Sequence, residues 1–196
     1  MAVLLAGGAV TGCAGSGGDE PALKVPGAES ADAGFARDMS VHHQQAVEMS
    51  FIVRDRTKDE EVRRLAYDIA QTQANQRGML LGWLDLWELP KVSAKPPMAW
   101  MGMGDAPPGE DGALMPGMAT NAQLERLRSD SGRGAEVRYL RLMIAHHKGG
   151  VHMAEGCVRQ CAEPAERRLA RGMVASQESE IELMTGMLKK RGATVS

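Results

Sequence analysis

Laid over itself with an offset of 104 residues, the chain repeats, and that repeat limits the folds open to it. His42-His43 falls on His146-His147, and Arg63-Arg64-Leu65-Ala66 falls on Arg167-Arg168-Leu169-Ala170. At the same offset Arg37, Met39, Val47, Met49, Gln73, Gly82 and Leu84 meet Arg141, Met143, Val151, Met153, Gln177, Gly186 and Leu188. Thirteen identities in 54 ungapped pairs, residues 36–89 against 140–193, mark an internal duplication. Any fold must therefore be built from two copies of one unit.

Each copy reads as a helical hairpin, with no strand signals. A first helix is expected from about 33 to 56, with Asp32 as its N-cap, and a second from about 59 to Pro90. In the second copy a helix from about 134 ends near Cys161. Pro164 then stands where a first-turn proline belongs, and the last helix ends by Gly192. Hairpins over 33–89 and 134–191 make an all-α, four-helix bundle spanning 32–192. The connection over 90–120 is long enough to run the length of the bundle, and Thr120-Asn121-Ala122-Gln123 looks like a capping box opening a short extra helix.

Helical periodicity puts Met39, His42, His43, Ala46, Met49, Ser50 and Val53 on one stripe. The second copy gives Met143, His146, His147, Gly150, Met153, Ala154, Cys157 and Cys161. Glu48 and His152 lie opposite and should be solvated. The partner helices turn Ile69, Gln73, Gln76, Leu80 and Leu84, and Met173, Gln177, Glu180, Ile181, Met184 and Leu188, inward. His43 and Gln73 are each about fifteen residues from the first hairpin turn, as His147 and Gln177 are from the second, so both pairs sit at one height. His42, His43, His146 and His147, with Gln73, Gln76, Gln177 and Glu180 and with Met39 and Met143, should converge on one polar layer inside the bundle. One such pair is accounted for by a hydrogen-bond network that fixes bundle register. Two pairs on a pseudo-two-fold, flanked by methionine, point to metal, because neutral imidazole is the commonest transition-metal ligand.

Composition sharpens this. The chain has 14 Met in 196 residues but only 4% aromatics, and a net charge of -2 with acids and bases interspersed. There is no basic stripe or aromatic interleaving for nucleic acid. Met98, Met101, Met103, Met115 and Met118 fall in a polar, Pro/Gly-rich connection read as flexible, where no core needs filling. They are either incidental to a low-complexity linker or a second soft-metal site suited to Cu(I). Cys157 and Cys161 lie about 15 Å along the helix from the histidines. They read as a local disulfide or as a thiolate copper pair. The first residues, ending Val10-Thr11-Gly12-Cys13, form an apolar run too short to span a bilayer and resemble the remnant of a lipoprotein signal peptide (1–12). On that reading Cys13 is lipidated, residues 13–31 are a tether, and the even pair Cys157 and Cys161 is left.

The segments Asp38–Ser50 and Leu142–Gly156, the intervening Met115-Pro116-Gly117-Met118 and the Gln-bearing second helices resemble bacterial domain-of-unknown-function family 305, within the ferritin-like superfamily. The resemblance covers about 34–190. It implies an exported, often lipid-anchored protein associated with copper binding and tolerance. Its motif positions are Met39, His42, His43, Met49, Met143, His146, His147 and Met153, while Leu142 replaces the motif aspartate that Asp38 supplies in the first copy.

The expected function is an extracytoplasmic copper protein, a buffer or carrier and not a catalyst, anchored to the cell membrane and serving an envelope copper-handling partner. No organic cofactor is implied. Affinity should fall below about pH 6.5 as imidazoles protonate. A ferritin-like di-iron oxidase fits less well: it wants a Glu on each of two helices and Glu-x-x-His on the others, where Gln73, Gln76, Gln177 and Glu180 offer one carboxylate. A metal-free envelope interaction module is the other alternative.

Overall fold

The computed structural model describes residues 25–105 and 109–195, and all regular structure among them is helical. The apolar leader, Cys13 and the tether up to residue 24 lie outside the described residues. No helix among the described residues is long and apolar enough to cross a membrane.

The helices start where side-chain oxygens satisfy their unpaired first N–H groups. The first, α1 (Ala31–Arg56), begins behind Ser30, whose hydroxyl accepts from the Ala33 N–H at 3.2 Å. Ser30, two residues before the expected cap, takes that role because Asp32 is drawn inward. Asp32 is 2% exposed, and its Oδ1 accepts from the Ala162 and Glu163 N–H groups at 2.9 and 2.7 Å. The next helix, α2 (Glu60–Leu86), is capped by Asp59. Then come α3 (Asn121–Ser129), with the expected Thr120/Gln123 capping box, and α4 (Gly132–Gln160). The last, α5 (Pro164–Lys190), opens on its proline behind Glu163.

Within each copy the helices pair as predicted, α1 on α2 and α4 on α5, and the hairpins join where α1 packs on α4. The duplication is visible in the joints. Glu136, offset mate of Asp32, accepts from the Thr57 hydroxyl at 2.6 Å and the Arg191 Nε at 2.7 Å. The start of each copy's first helix is thus tied to the other copy's turn, and α1 and α4 run antiparallel. Every position expected on the two first-helix stripes is buried. Two apolar clusters result. One gathers Met49, Val53, Ile69, Tyr139, Met143 and Met184, and the other Phe35, Met39, Leu80, Met153, Cys157 and Met173. Full burial of each such side chain contributes about 1.5–3 kcal/mol.

The connection between copies is not the flexible segment that its composition suggests. Asp38 accepts from the Met98 N–H at 2.7 Å and the Trp100 Nε1–H at 2.9 Å, through the same oxygen. Trp100 meets Phe35 edge-on and lies over Gly34, and Met101 lies over Gly156. Further on, Gln45 exchanges two hydrogen bonds with the Ala119 backbone, at 2.7 and 2.9 Å. Between these anchors Pro116-Gly117 rests on α4. Gly117 has φ +80°, and a Cβ on Gly149 would overlap the Pro116 carbonyl. Beyond it Leu124 and Leu127 of α3 enter the first apolar cluster. Met98 and Met115 are buried at 3% and 6% exposure, and Met101, Met103 and Met118 pack against the second cluster. The linker methionines therefore do fill core, and the composition misled because the core they fill belongs to α1 and α4.

This packing separates two glycine substitutions. Gly149→Ala should lose about 1–3 kcal/mol in urea unfolding, because the linker backbone must lift from α4. Gly82→Ala, where a Cβ meets nothing within 4 Å, should gain about 0.5–1 kcal/mol. Equal effects at the two positions would mean that the linker is not seated on α4.

Candidate metal centre

His42, His43, His146 and His147 are all fully buried where α1 crosses α4. The His42 and His146 rings lie 3.7 Å apart between centroids and 30° from parallel, so offset mates face each other across the pseudo-two-fold. Each ring is held through Nε2. His42 Nε2 lies 3.3 Å from the Pro116 carbonyl, and His146 Nε2 lies 3.0 Å from the His42 carbonyl. His43 Nε2 lies 2.9 Å from Gln76 Oε1, and His147 Nε2 lies 2.6 Å from Glu180 Oε2. All four partners are oxygens. The hydrogen therefore sits on Nε2 in every neutral ring, and Nδ1 carries a lone pair.

None of the four Nδ1 atoms has a hydrogen-bond partner. Neither Gln73 side-chain atom has one, nor does Gln177 Oε1. Among the described residues, buried side-chain N and O atoms without partners occur at this layer and at one other residue, Glu166. An unpaired buried polar atom costs about 1–3 kcal/mol, so seven in one layer call for a ligand. Imidazoles with Nε2–H fixed by an oxygen and Nδ1 free are arranged as metal ligands with their outer partners in place. Gln76 and Glu180 supply that second contact, one helical turn beyond the Gln73 and Gln177 expected at the histidines' height. Gly150 is the close-fitting point, since a Cβ there would overlap the Gln177 amide oxygen.

Burial lowers the His42 and His43 pKa values to about 4 and about 3, and puts that of His146 well below its usual range. Neighbouring imidazoles add to this, and only the oxygen partners oppose it. Protonation of His42, His43 and His146 thus begins well below the pH of 6.5 expected of an ordinary imidazole.

The methionines divide differently from expectation. Because α1 and α4 are antiparallel, Met39 joins Met153 in one cluster and Met143 joins Met49 in the other, so Met39 and Met143 flank the layer from opposite ends. Among the described residues, the His/Cys/Asp/Glu ligand atoms close enough for three to share one ion are those of Cys157, Cys161 and Glu166, so no such three-ligand set forms among the histidines. Of the linker methionines, Met98, Met103 and Met115 line an apolar groove of about 540 Å³ with Pro96, Pro97 and Leu114.

Cys157 and Cys161 are bridged by a disulfide. The helix ends at Gln160 and Cys161 is extended, so the bridge closes a helix end. Beside it Glu166 is fully buried, and burial followed by the neighbouring Asp32 raises its pKa to about 9. Sequence reasoning missed Glu166, whose offset mate is Val62, and Gln45, and it gave Asp38 and Pro116 no contact role, because the contacts of Asp38, Gln45 and Pro116 join the helices to the unduplicated linker. The Gly149-Gly150 pair inside a helix was the available signal.

The sign of the pH dependence follows. His42, His43 and His146 bind fewer protons folded than unfolded below about pH 6.5, so stability falls on acidification toward pH 4. Glu166 keeps its proton folded but loses it unfolded above about pH 4.5, so stability also falls as pH rises toward 9. Urea midpoints should peak near neutrality and drop on both sides by on the order of 1 kcal/mol per pH unit. Glu166→Gln should flatten the alkaline limb and His→Gln at all four histidines the acid limb. A midpoint constant from pH 4.5 to 8.5 would contradict both assignments.

The fold recurs in solved structures. A DUF305 protein of Streptomyces coelicolor, named a candidate secreted protein, is 69% identical, with 86% of this chain and 98% of that one covered and a TM-score of 0.80. A DUF305 fragment from Deinococcus radiodurans is 31% identical over 82% of this chain and 96% of its own, with a TM-score of 0.69. CopM in its Cu(II)-bound form is 22% identical over 81% and 96%, with a TM-score of 0.65, a likeness of fold. No curated protein matches the chain. Residues 32–188 match the family described as Domain of unknown function (DUF305), and the chain belongs to that family.

Proposed function

We propose that the protein binds copper, as Cu(I), outside the cytoplasm and acts as a buffer or carrier for it. The observation that carries this reading is the set of four buried imidazoles whose Nε2 positions are taken and whose Nδ1 lone pairs are free. A pair drawn from His42, His43, His146 and His147 would hold the ion through Nδ1. Thioethers of Met39 with Met153, and of Met49 with Met143, stand in the clusters that border the layer. Imidazole with thioether, and no three-ligand set among the histidines, suits a soft ion that accepts few ligands. The Gln73/Gln76 and Gln177/Glu180 donors leave one carboxylate, too few for a di-iron oxidase. CopM, which shares the fold, has been solved with Cu(I), Cu(II) and silver bound.

The linker methionines Met98, Met103 and Met115 are a second candidate position, beside the groove they line. Export is supported by the disulfide, which persists in oxidising compartments, and by the lipobox-like leader; anchoring through Cys13 and an envelope copper-handling partner belong to the same proposal.

Anaerobic titration of Cu(I) against a chromophoric chelator tests it, using three forms of the chain. The unsubstituted chain should compete with the chelator. His→Ala at residues 42, 43, 146 and 147 together should weaken binding by about 100-fold or more, as loss of whole ligands exceeds the 10–100-fold of outer-contact changes. Met→Leu at residues 98, 101, 103, 115 and 118 should cost less. The reverse ranking would move the site to the linker, and no competition by the unsubstituted chain would end the copper reading.

A further inference from the structure

Among the described residues, the remaining buried side-chain polar atoms without a hydrogen-bond donor are the two carboxyl oxygens of Glu166, which lies beside Asp32. Glu166 is in the first turn of α5, with its carboxyl group beside Cys157 and Cys161, which belong to the second apolar cluster. Nothing in the copper reading uses it. Its ligand oxygen and the sulfurs of Cys157 and Cys161 all lie within 4.8 Å of one another, and all three residues are buried. Asp32 holds the turn between them: its carboxylate accepts from the Ala162 and Glu163 N–H groups, fixing the chain between the second sulfur and the carboxyl group. A fully buried carboxyl group whose polar neighbours are two further carboxyl groups, Asp32 and Glu163, and which faces a sulfur pair, is hard to explain by packing alone.

We propose that the Cys157–Cys161 disulfide masks a metal site: when a dithiol reductant opens it, both thiolates and the Glu166 carboxylate bind one borderline divalent cation of the zinc class. The two states exclude each other. At a tetrahedral ion with Zn–S bonds of about 2.3 Å the sulfurs stand roughly 3.7 Å apart, beyond any S–S bond. The reductant gives two electrons and two protons, the S–S bond breaks, and the reductant leaves as its own disulfide. Metal binding then releases three protons, one from each thiol and one from the Glu166 carboxyl group. Two sulfurs and one oxygen leave a fourth position open. This donor set suits a borderline dication, whereas Cu(I) would take the sulfurs and ignore the carboxylate. The offset mates Val53, Thr57 and Val62 offer no ligand of this kind, so the site belongs to the second copy alone. It lies about ten residues along α4 from His147, roughly 15 Å, and stands apart from the histidine layer.

The test titrates Co²⁺ into the whole chain under anaerobic conditions, after phosphine reduction and desalting. One Co²⁺ per reduced chain should give thiolate-to-cobalt charge-transfer bands and tetrahedral d–d bands, bleached by Zn²⁺, and the unreduced chain should give neither. Glu166→Gln should keep the thiolate bands and weaken Co²⁺ binding about tenfold or more. The four-histidine variant should bind as the unsubstituted chain does, which separates this site from the copper reading. Absent bands in a reduced chain of unchanged helical circular dichroism would overturn the proposal. So would loss of helicity on reduction, an unchanged affinity in Glu166→Gln, or bands that survive Cys157→Ser/Cys161→Ser.

Discussion

Four hydrogen bonds, one to each imidazole Nε2, decide what the centre of this bundle is. Buried histidines are ordinary when both nitrogens find partners, and these have one each. An oxygen at Nε2 fixes the tautomer, fixes the ring plane and leaves the lone pair on Nδ1. Removing the oxygen partners would let the rings turn to satisfy themselves. With them in place, the helices cannot close this layer through their own hydrogen bonds, and the molecule carries an unmet need at its midpoint. The two apolar clusters on either side supply the stability that tolerates it.

The duplication is followed faithfully by the helices and departed from by everything the linker touches. Gln76 and Glu180, offset mates, make the same contact with His43 and His147. His42 and His146 do not match: one turns to Pro116 of the linker, the other to the backbone of α1. Asp38 anchors Met98 and Trp100, whereas its mate Leu142 has no linker to anchor. The bridge and its carboxylate occur only in the second copy. The repeat built the frame, and the specialisation lies where the copies diverge.

The same division explains what could be read from the sequence. The helices, their caps to within two or three residues, the inward stripes and the histidine layer all follow from local periodicity and a repeat that reports the same facts twice. Gln76 and Glu180 were legible as members of the layer, but that they and not Gln73 and Gln177 meet the histidines was not, because equal heights along two helices do not fix how the helices rotate about their axes. The assignment of Met39 and Met143 to one layer failed because it overlooked the antiparallel crossing, which pairs the methionine before one histidine pair with the methionine after the other. The linker was misread for a different reason. Composition sees a run rich in proline, glycine and methionine, but only contacts over sixty or more residues, such as Asp38 to Trp100 and Gln45 to Ala119, show that it is core.

The Pro116-Gly117 segment crosses the histidine layer as bare backbone, lying on a helical glycine and held beyond it by one glutamine. If the layer holds an ion as proposed, such a strap separates two quantities usually treated together. How tightly the layer holds an ion is a matter of the imidazoles and thioethers beneath it. How long the ion stays is a matter of how often the strap lifts, a local opening that costs far less than unfolding the bundle. A substitution at Gln45 would then change residence time and leave equilibrium affinity almost untouched. A carrier that must hand over its cargo on encounter depends on that independence.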